Sequence, residues 1–319
     1  MSNYIIYSTK EDYYKVIYRD VIEKENVEFI VSPVSERSLL LRFLYKVMMS
    51  PKLTFLFKRF RRLLNPLYDR TFNNEERNIY LFFYGRLEWV DYGLLGYLKR
   101  KHPDCLTVCY FQDLIAKKKL DINKVKSQFD LVLNYDEDEA EKYSLMYAPT
   151  PFSFVKQSEM SQIDSDVYFV GQAKERLNEI YDMFNLLSSN GFKCDFYIAG
   201  VSEDKQIKKD GLHFINKKFS YIENLEKISH CKIALELMQT GAVGYTLRTW
   251  EAIAYNKLLL TNNTSLKHSK LAERYNILTF EKIDDEVVDQ LKTFKKKEYT
   301  YNNEFSPNKL LKEIDEYGK

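Results

Sequence analysis

Cysteine, histidine and glycine are scarce in this sequence, and the long apolar run of a membrane span is missing. The four cysteines, at 105, 109, 194 and 231, form no C-x-x-C pair. With histidines only at 102, 213, 230 and 268, no Cys/His spacing of a structural zinc site arises. Cysteine usage therefore points to a reducing, cytoplasmic compartment. The opening residues lack the basic segment and apolar stretch of a signal peptide, and no apolar run approaches the roughly 18 residues that cross a bilayer. No repeat at a period of roughly 20 to 50 residues is present. A net charge of only +2, from 48 Lys and Arg against 46 Asp and Glu, argues against a dedicated nucleic-acid binder. Neither a G-x-G-x-x-G fingerprint nor a P-loop occurs among the 10 glycines, which sets NAD enzymes and ATPases aside.

What is present is an ordered globular composition: 45% hydrophobic and 29% charged residues, with 25 Tyr and 21 Phe. At 319 residues the chain fits one large α/β domain or two Rossmann-sized halves. A short apolar run at residues 4–7 and a second segment at 27–31 read as strands, and the runs at 79–84, 106–111 and 131–133 have the pattern of strands buried on both faces of a parallel sheet. Helical stretches such as 12–24 and 92–101 alternate with them, the pattern of a doubly wound α/β fold. The pattern breaks at Pro149-Thr150-Pro151, and polar residues run on to Asp166. A second α/β set follows, with strands at 167–170, 194–199, 213–215, 232–237 and 258–261. Helices fall at 174–189, 222–229 and 247–255, and a last one near 308–317. The expectation is two Rossmann-like domains facing a cleft, residues 1–155 and 164–290, then a tail and helix over 291–319.

The most informative segment is 235–263. A buried strand ends at Leu237, a loop with Gly241 and Gly244 follows, and a helix opens near Thr246. Such a loop admits a ligand closely, and the N–H groups at a helix start attract an anion. Arg248 in the first turn supplies a cation suited to phosphate oxygens, and Glu251, three residues on, suits two ribose hydroxyls. Together they suggest a nucleoside diphosphate across the strand ends. The plainer alternative stays open: glycines that only end a loop, and Arg248–Glu251 as an i,i+3 surface ion pair.

The run TLRTWEAIAYNKLLLTNN, residues 246–263, resembles the donor-site helix of GT-B glycosyltransferases, particularly bacterial enzymes that build capsule, exopolysaccharide and lipopolysaccharide O-chains. YFVGQAKERL at 168–177, CDFYIAG at 194–200 and FDLVLNYDEDEAEKYSLMYAP at 129–149 are similar to the same group, and the resemblance spans roughly residues 79–280. It implies an acceptor-side N-terminal domain and a C-terminal domain that holds a nucleotide sugar, with UDP expected as the nucleotide. The donor is then a substrate, with no cofactor and no essential metal. By position Glu251 would hold the ribose, while Gly241, Gly244, Thr246 and Arg248 surround the diphosphate. Gly171 would approach the phosphates, with Lys174 or Arg176 as a second cation. Many retaining members carry a glutamate eight positions before the ribose glutamate; here that position is Val243, so the anomeric outcome is not assigned. An inverting enzyme needs a base on the acceptor side. Asp113 follows a strand and is the leading candidate, ahead of Glu88 and Asp91, although each equally suits a cap. The acidic run Asp136–Glu139 reads as the start of a helix rather than a metal site. Rival readings are a non-catalytic scaffold of the same fold, or an epimerase or polyol-phosphate transferase.

Residues 36–70 differ from the rest. Nine cations against two carboxylates leave +7 there, interleaved with Leu and Phe. A basic amphipathic stretch of this kind suits an anionic membrane surface, where the resembling enzymes meet a polyprenyl-linked acceptor. The alternatives are a helical pair packed on the first sheet and, more remotely, nucleic-acid contact.

Overall fold

The computed structural model describes residues 2–8, 12–31, 39–48, 72, 76–84, 92–117, 120–157, 162–215, 219–239 and 244–317. The chain divides into two compact units, residues 1–151 with 306–319, and residues 152–305. Each holds a six-stranded, wholly parallel sheet among the described residues.

In the first unit the strands are β1 (Asn3–Tyr7), β2 (Val27–Ile30), β3 (Asn78–Phe83), β4 (Leu106–Phe111), β5 (Leu131–Asn134) and β6 (Met146–Tyr147), in the order β2-β1-β3-β4-β5-β6. Every residue of β1, β3, β4 and β5 is buried, so the apolar runs reflect a sheet covered on both faces. The stretch expected as one helix over 12–24 is two, Asp12–Ile17 and Arg19–Ile22. Between them Tyr18 leaves helical geometry, and its fully buried ring packs 5.6 Å from Phe29 and 5.4 Å from Phe83. The C-terminal helix Pro307–Tyr317 belongs to this unit. It buries Leu310, Leu311 and Ile314, and the Leu311 carbonyl accepts from the Tyr4 hydroxyl at 3.2 Å. Ser2 bonds Asp315 beside it, and Ser306 donates to Asp20 at 2.5 Å.

In the second unit β7 (Ser165–Gln172), β8 (Cys194–Ala199), β9 (Leu212–Ile215), β10 (Cys231–Glu236), β11 (Leu258–Thr261) and β12 (Ile277–Thr279) are ordered β12-β11-β10-β7-β8-β9. Counted from β7 that is the 3-2-1-4-5-6 order, whose direction reverses between β7 and β10. One face carries an apolar layer in which Phe169 and Phe196 meet Met183, Phe184 and Leu187 of the helix Leu177–Ser189. On the other face Tyr168 meets two helices, Tyr221–Ser229 and Leu247–Ala254. Gly211 fixes the turn into β9: its φ is +78°, and a Cβ there would stand 2.2 Å from the Cys194 carbonyl oxygen.

Candidate functional site

The crevice at the C-terminal ends of β7 and β10 is where open α/β sheets take ligands, and the informative segment lies there. β10 ends at Glu236, a carboxylate only 5% exposed that follows the buried apolar residues Ile233, Ala234 and Leu235. One of its oxygens accepts from the Thr246 hydroxyl, the other from Thr261 at 2.6 Å. Thr246 is the N-cap of the helix Leu247–Ala254, and its hydroxyl accepts from the Arg248 amide at 3.0 Å. The loop between β10 and that helix is braced by the two residues after β11. Asn262 accepts from the Met238 amide at 2.6 Å, and Asn263 donates to the Gly244 carbonyl at 2.9 Å. Gly244 has φ +88°, a conformation glycine adopts without strain. Behind the helix, Trp250 stacks 4.0 Å from Phe305 and lies 5.1 Å from Tyr245.

Arg248 and Glu251 form the expected i,i+3 pair, but inside the unit rather than on its surface. Nη1 stands 3.3 Å from Oε2, with the side chains 11% and 3% exposed. The guanidinium also meets the Asn224 side-chain oxygen at 3.5 Å and the Val170 carbonyl at 3.4 Å, and lies over the Tyr168 ring at 5.4 Å. Burial is the largest single influence and works against its charge, but Glu251, Tyr168, Cys231 and Tyr221 together outweigh it and raise the pKa. Asn224, from the first turn of the helix Tyr221–Ser229, donates to Glu251 at 3.1 Å and accepts from the Tyr168 hydroxyl at 3.2 Å. Burial, followed by the Glu251 charge, lifts the Tyr221 hydroxyl well above its ordinary pKa. One asparagine thus ties β7 to both helices.

The remaining candidates are distributed as follows. Arg176 is buried, with its guanidinium donating to the Gln172 carbonyl at 2.7 Å and to the Leu237 carbonyl, so it clips β7 to the end of β10. Burial lowers its pKa. Gly171, in β7, pairs with Ile198 of β8, and a Cβ there would stand 3.0 Å from the Phe169 ring, a tight contact within the unit's own packing. Lys174 is exposed, with φ +42°. Lys257, in the run that carries the resemblance, points inward and donates to the Ser229 carbonyl at 2.6 Å. Gly241, Glu88 and Asp91 lie outside the described residues. In the first unit Asp113 is exposed just after β4. The segment that follows it is held by Glu139, which accepts from the Ile115 and Ala116 amides at 2.7 and 2.8 Å. Asp136 caps the helix Glu137–Tyr143 through the Glu139 amide at 2.9 Å, in line with the helix-start reading of the acidic run.

Sequence reasoning assigned no role to Asn224, Glu236, Thr261, Asn262 or Asn263. A carboxylate directly after the apolar run 233–235, and a Thr-Asn-Asn run closing the apolar run 258–260, were visible signals for four of them. Asn224 carries none, because only the packing of its helix brings it to Glu251.

No protein-family model matches the chain, and no curated protein matches it. Solved structures do. An alpha-glucosyltransferase in complex with UDP and a 13-mer DNA is 12% identical, with TM-score 0.52 over 92% of this chain and 90% of that one. A trehalose-6-phosphate protein from E. coli, bound with UDP-2-fluoro glucose, is 9% identical, with TM-score 0.52 over 100% and 96%. A UDP-forming trehalose-phosphate synthase from Burkholderia xenovorans is 10% identical, with TM-score 0.50 over 92% of both chains. At such identities the likeness is one of fold. It bears out the expected α/β class with two Rossmann-like parts, the architecture of GT-B glycosyltransferases.

Proposed function

We propose that the chain is a glycosyltransferase that moves a sugar from a UDP-linked donor to a carbohydrate acceptor carried on a polyprenyl lipid, in bacterial surface polysaccharide synthesis. The observation that carries this reading is the braced glycine loop at the strand ends of a 3-2-1-4-5-6 sheet, in a fold shared with sugar-transferring enzymes whose structures hold UDP or a UDP sugar. In such a transfer the bond from the anomeric carbon to the diphosphate oxygen breaks while the acceptor oxygen bonds to that carbon. Donors aimed at the growing diphosphate charge lower the barrier. Gly244, Thr246 and Arg248, with Gly241, would surround the diphosphate, and Glu251 would hold the ribose. Because Arg248 and Glu251 are paired in the free protein, donor binding exchanges partners: ribose hydroxyls for Glu251, phosphate for Arg248. Exposed Lys174 offers a second cation, whereas Arg176 is committed to two carbonyls. Asp113 is the proposed base toward the acceptor hydroxyl. The donor is a substrate, and the reading invokes no cofactor or metal.

Thermal stability with millimolar UDP, GDP, CDP or ADP tests the donor site. A ligand at 100 times its Kd adds about 2.7 kcal/mol, so a rise of a few degrees is expected with UDP and not with the other three. It should vanish in Glu251→Gln. No rise with any nucleotide would favour a scaffold, and product analysis separates transfer from epimerisation.

The acceptor's lipid places the enzyme at the cytoplasmic face of a membrane. Among the described residues no helix is long and apolar enough to cross one. The helix Leu39–Met48, however, exposes Leu39, Leu40, Phe43 and Leu44 at 80, 67, 62 and 41%. It lies in the basic stretch 36–70, most of which falls outside the described residues. Apolar insertion beside cations suits an anionic leaflet. Co-sedimentation with anionic vesicles at low salt, weakened by salt, is expected. Retention by duplex DNA instead would redirect the acceptor to nucleic acid, the material in one of the similar structures.

A further inference from the structure

We infer that Glu236 is a positioning residue for the donor site: its carboxylate fixes the direction of two hydroxyl groups and thereby the placing of Gly244 and of the helix start at Thr246, without meeting the nucleotide itself. The inference rests on the donor-site reading above.

A buried carboxylate at the end of β10 costs free energy unless its oxygens find donors, and an apolar residue there would avoid that cost. What Glu236 supplies is polarity. An ionised carboxylate only accepts, so any hydroxyl that bonds it must point its single proton inward. Thr246 and Thr261 both do so. Each then has only lone pairs left for its other neighbour. The Thr246 hydroxyl accepts from the Arg248 amide at 3.0 Å, setting the first turn of the helix that carries Arg248 and Glu251. The Thr261 hydroxyl accepts from the Asn263 amide at 3.0 Å, and Asn263 in turn donates its side-chain amide to the Gly244 carbonyl at 2.9 Å. One acceptor-only group therefore orders two chains of bonds, reaching Gly244 from one side and Arg248 from the other. Glutamine at 236 is isosteric but offers one acceptor and one donor. One threonine would then accept from the glutamine amide, its proton would turn away from residue 236, and the single direction that the carboxylate imposes on that hydroxyl is lost.

Hydrogen exchange of the nucleotide-free protein reads this directly. In Glu236→Gln, the amides of Thr246, Arg248 and Asn263 should exchange about tenfold faster, while those of β8 keep their protection, as global loosening would not allow. Calorimetry should show UDP affinity reduced about tenfold, with kcat far less affected than the donor KM. Wild-type exchange at these amides, or unchanged UDP affinity in the variant, overturns the inference. If Glu236→Gln fails to fold, Thr261→Val removes one hydroxyl and leaves the charge. Faster exchange at the Asn263 amide then supports the relay, and unchanged exchange refutes it. Should the wild type bind no nucleoside diphosphate, the donor-site reading falls, and the exchange result still decides whether Glu236 orders Gly244 and the helix start.

Discussion

Arg248 and Glu251 hold each other at 3.3 Å in the interior of the second unit, one helical turn apart, with a single asparagine bonded to both. Removing either partner strands a charge in low dielectric. Arg248→Met should cost about 3–5 kcal/mol. The double substitution Arg248→Met, Glu251→Gln should cost much less than the sum of the singles. Urea unfolding of the four proteins gives the coupling; strict additivity would mean the pair is inert.

The turn before β9 has no room for a side chain. Gly211→Ala combines a φ of +78° with a Cβ 2.2 Å from the Cys194 carbonyl, so a loss of at least about 2 kcal/mol is expected. The same substitution at Gly191, where φ is +85° but a Cβ meets nothing within 4 Å, should be milder. Melting temperatures of the two variants make the comparison.

Arg176 and Lys174 are close in sequence and opposite in role. Arg176→Met should destabilise the second unit, because the Gln172 and Leu237 carbonyls lose their donor. Lys174→Gly should be neutral or stabilising by about 1 kcal/mol, since it relieves a lysine at φ +42°. If Lys174 meets the donor phosphates, the same variant weakens UDP binding while gaining stability, a divergence that calorimetry and thermal unfolding would expose together.

Stability toward acid should depend on Asp130. Burial raises its pKa, but hydrogen bonds from Lys99 and Thr107 outweigh this and hold it below its ordinary 3.8. Its contribution is therefore present above 3.8 and lost as pH falls through the lower folded value. Asp130→Asn should cost about 1 kcal/mol at neutral pH, allowing for partial exposure, and the gap to wild type should close in strong acid. A pH-independent gap would mean that the charge is irrelevant.

Strands were legible wherever burial on both faces left an unbroken apolar run. Leu106–Phe111 and Leu258–Thr261 were bounded from the sequence as the structure has them, and so was Cys194–Ala199, where only alternate residues are buried and Gly200 marks the end. The short edge strands Met146–Tyr147 and Ile277–Thr279 escaped, because three residues or fewer leave no periodicity to recognise. In the candidate site, the loop and helix start were readable because glycine and a capping threonine are local signals. The direction of the Arg248 side chain was not, since it depends on Asn224, Tyr168 and Val170, which the sheet and helix packing bring to it. The destination of the last helix was equally hidden: its apolar face says that it packs, not against which unit.

That helix has a consequence for how the protein is made. Residues 152–305 form one uninterrupted stretch, whereas the first unit also needs residues 306–319. As the chain leaves the ribosome, the second unit emerges whole while the first still lacks the helix that buries Leu310, Leu311 and Ile314. Domains commonly mature in the order of synthesis. Here the part begun first is finished last, and the exposed apolar surface it carries meanwhile is where a chaperone would bind the nascent chain.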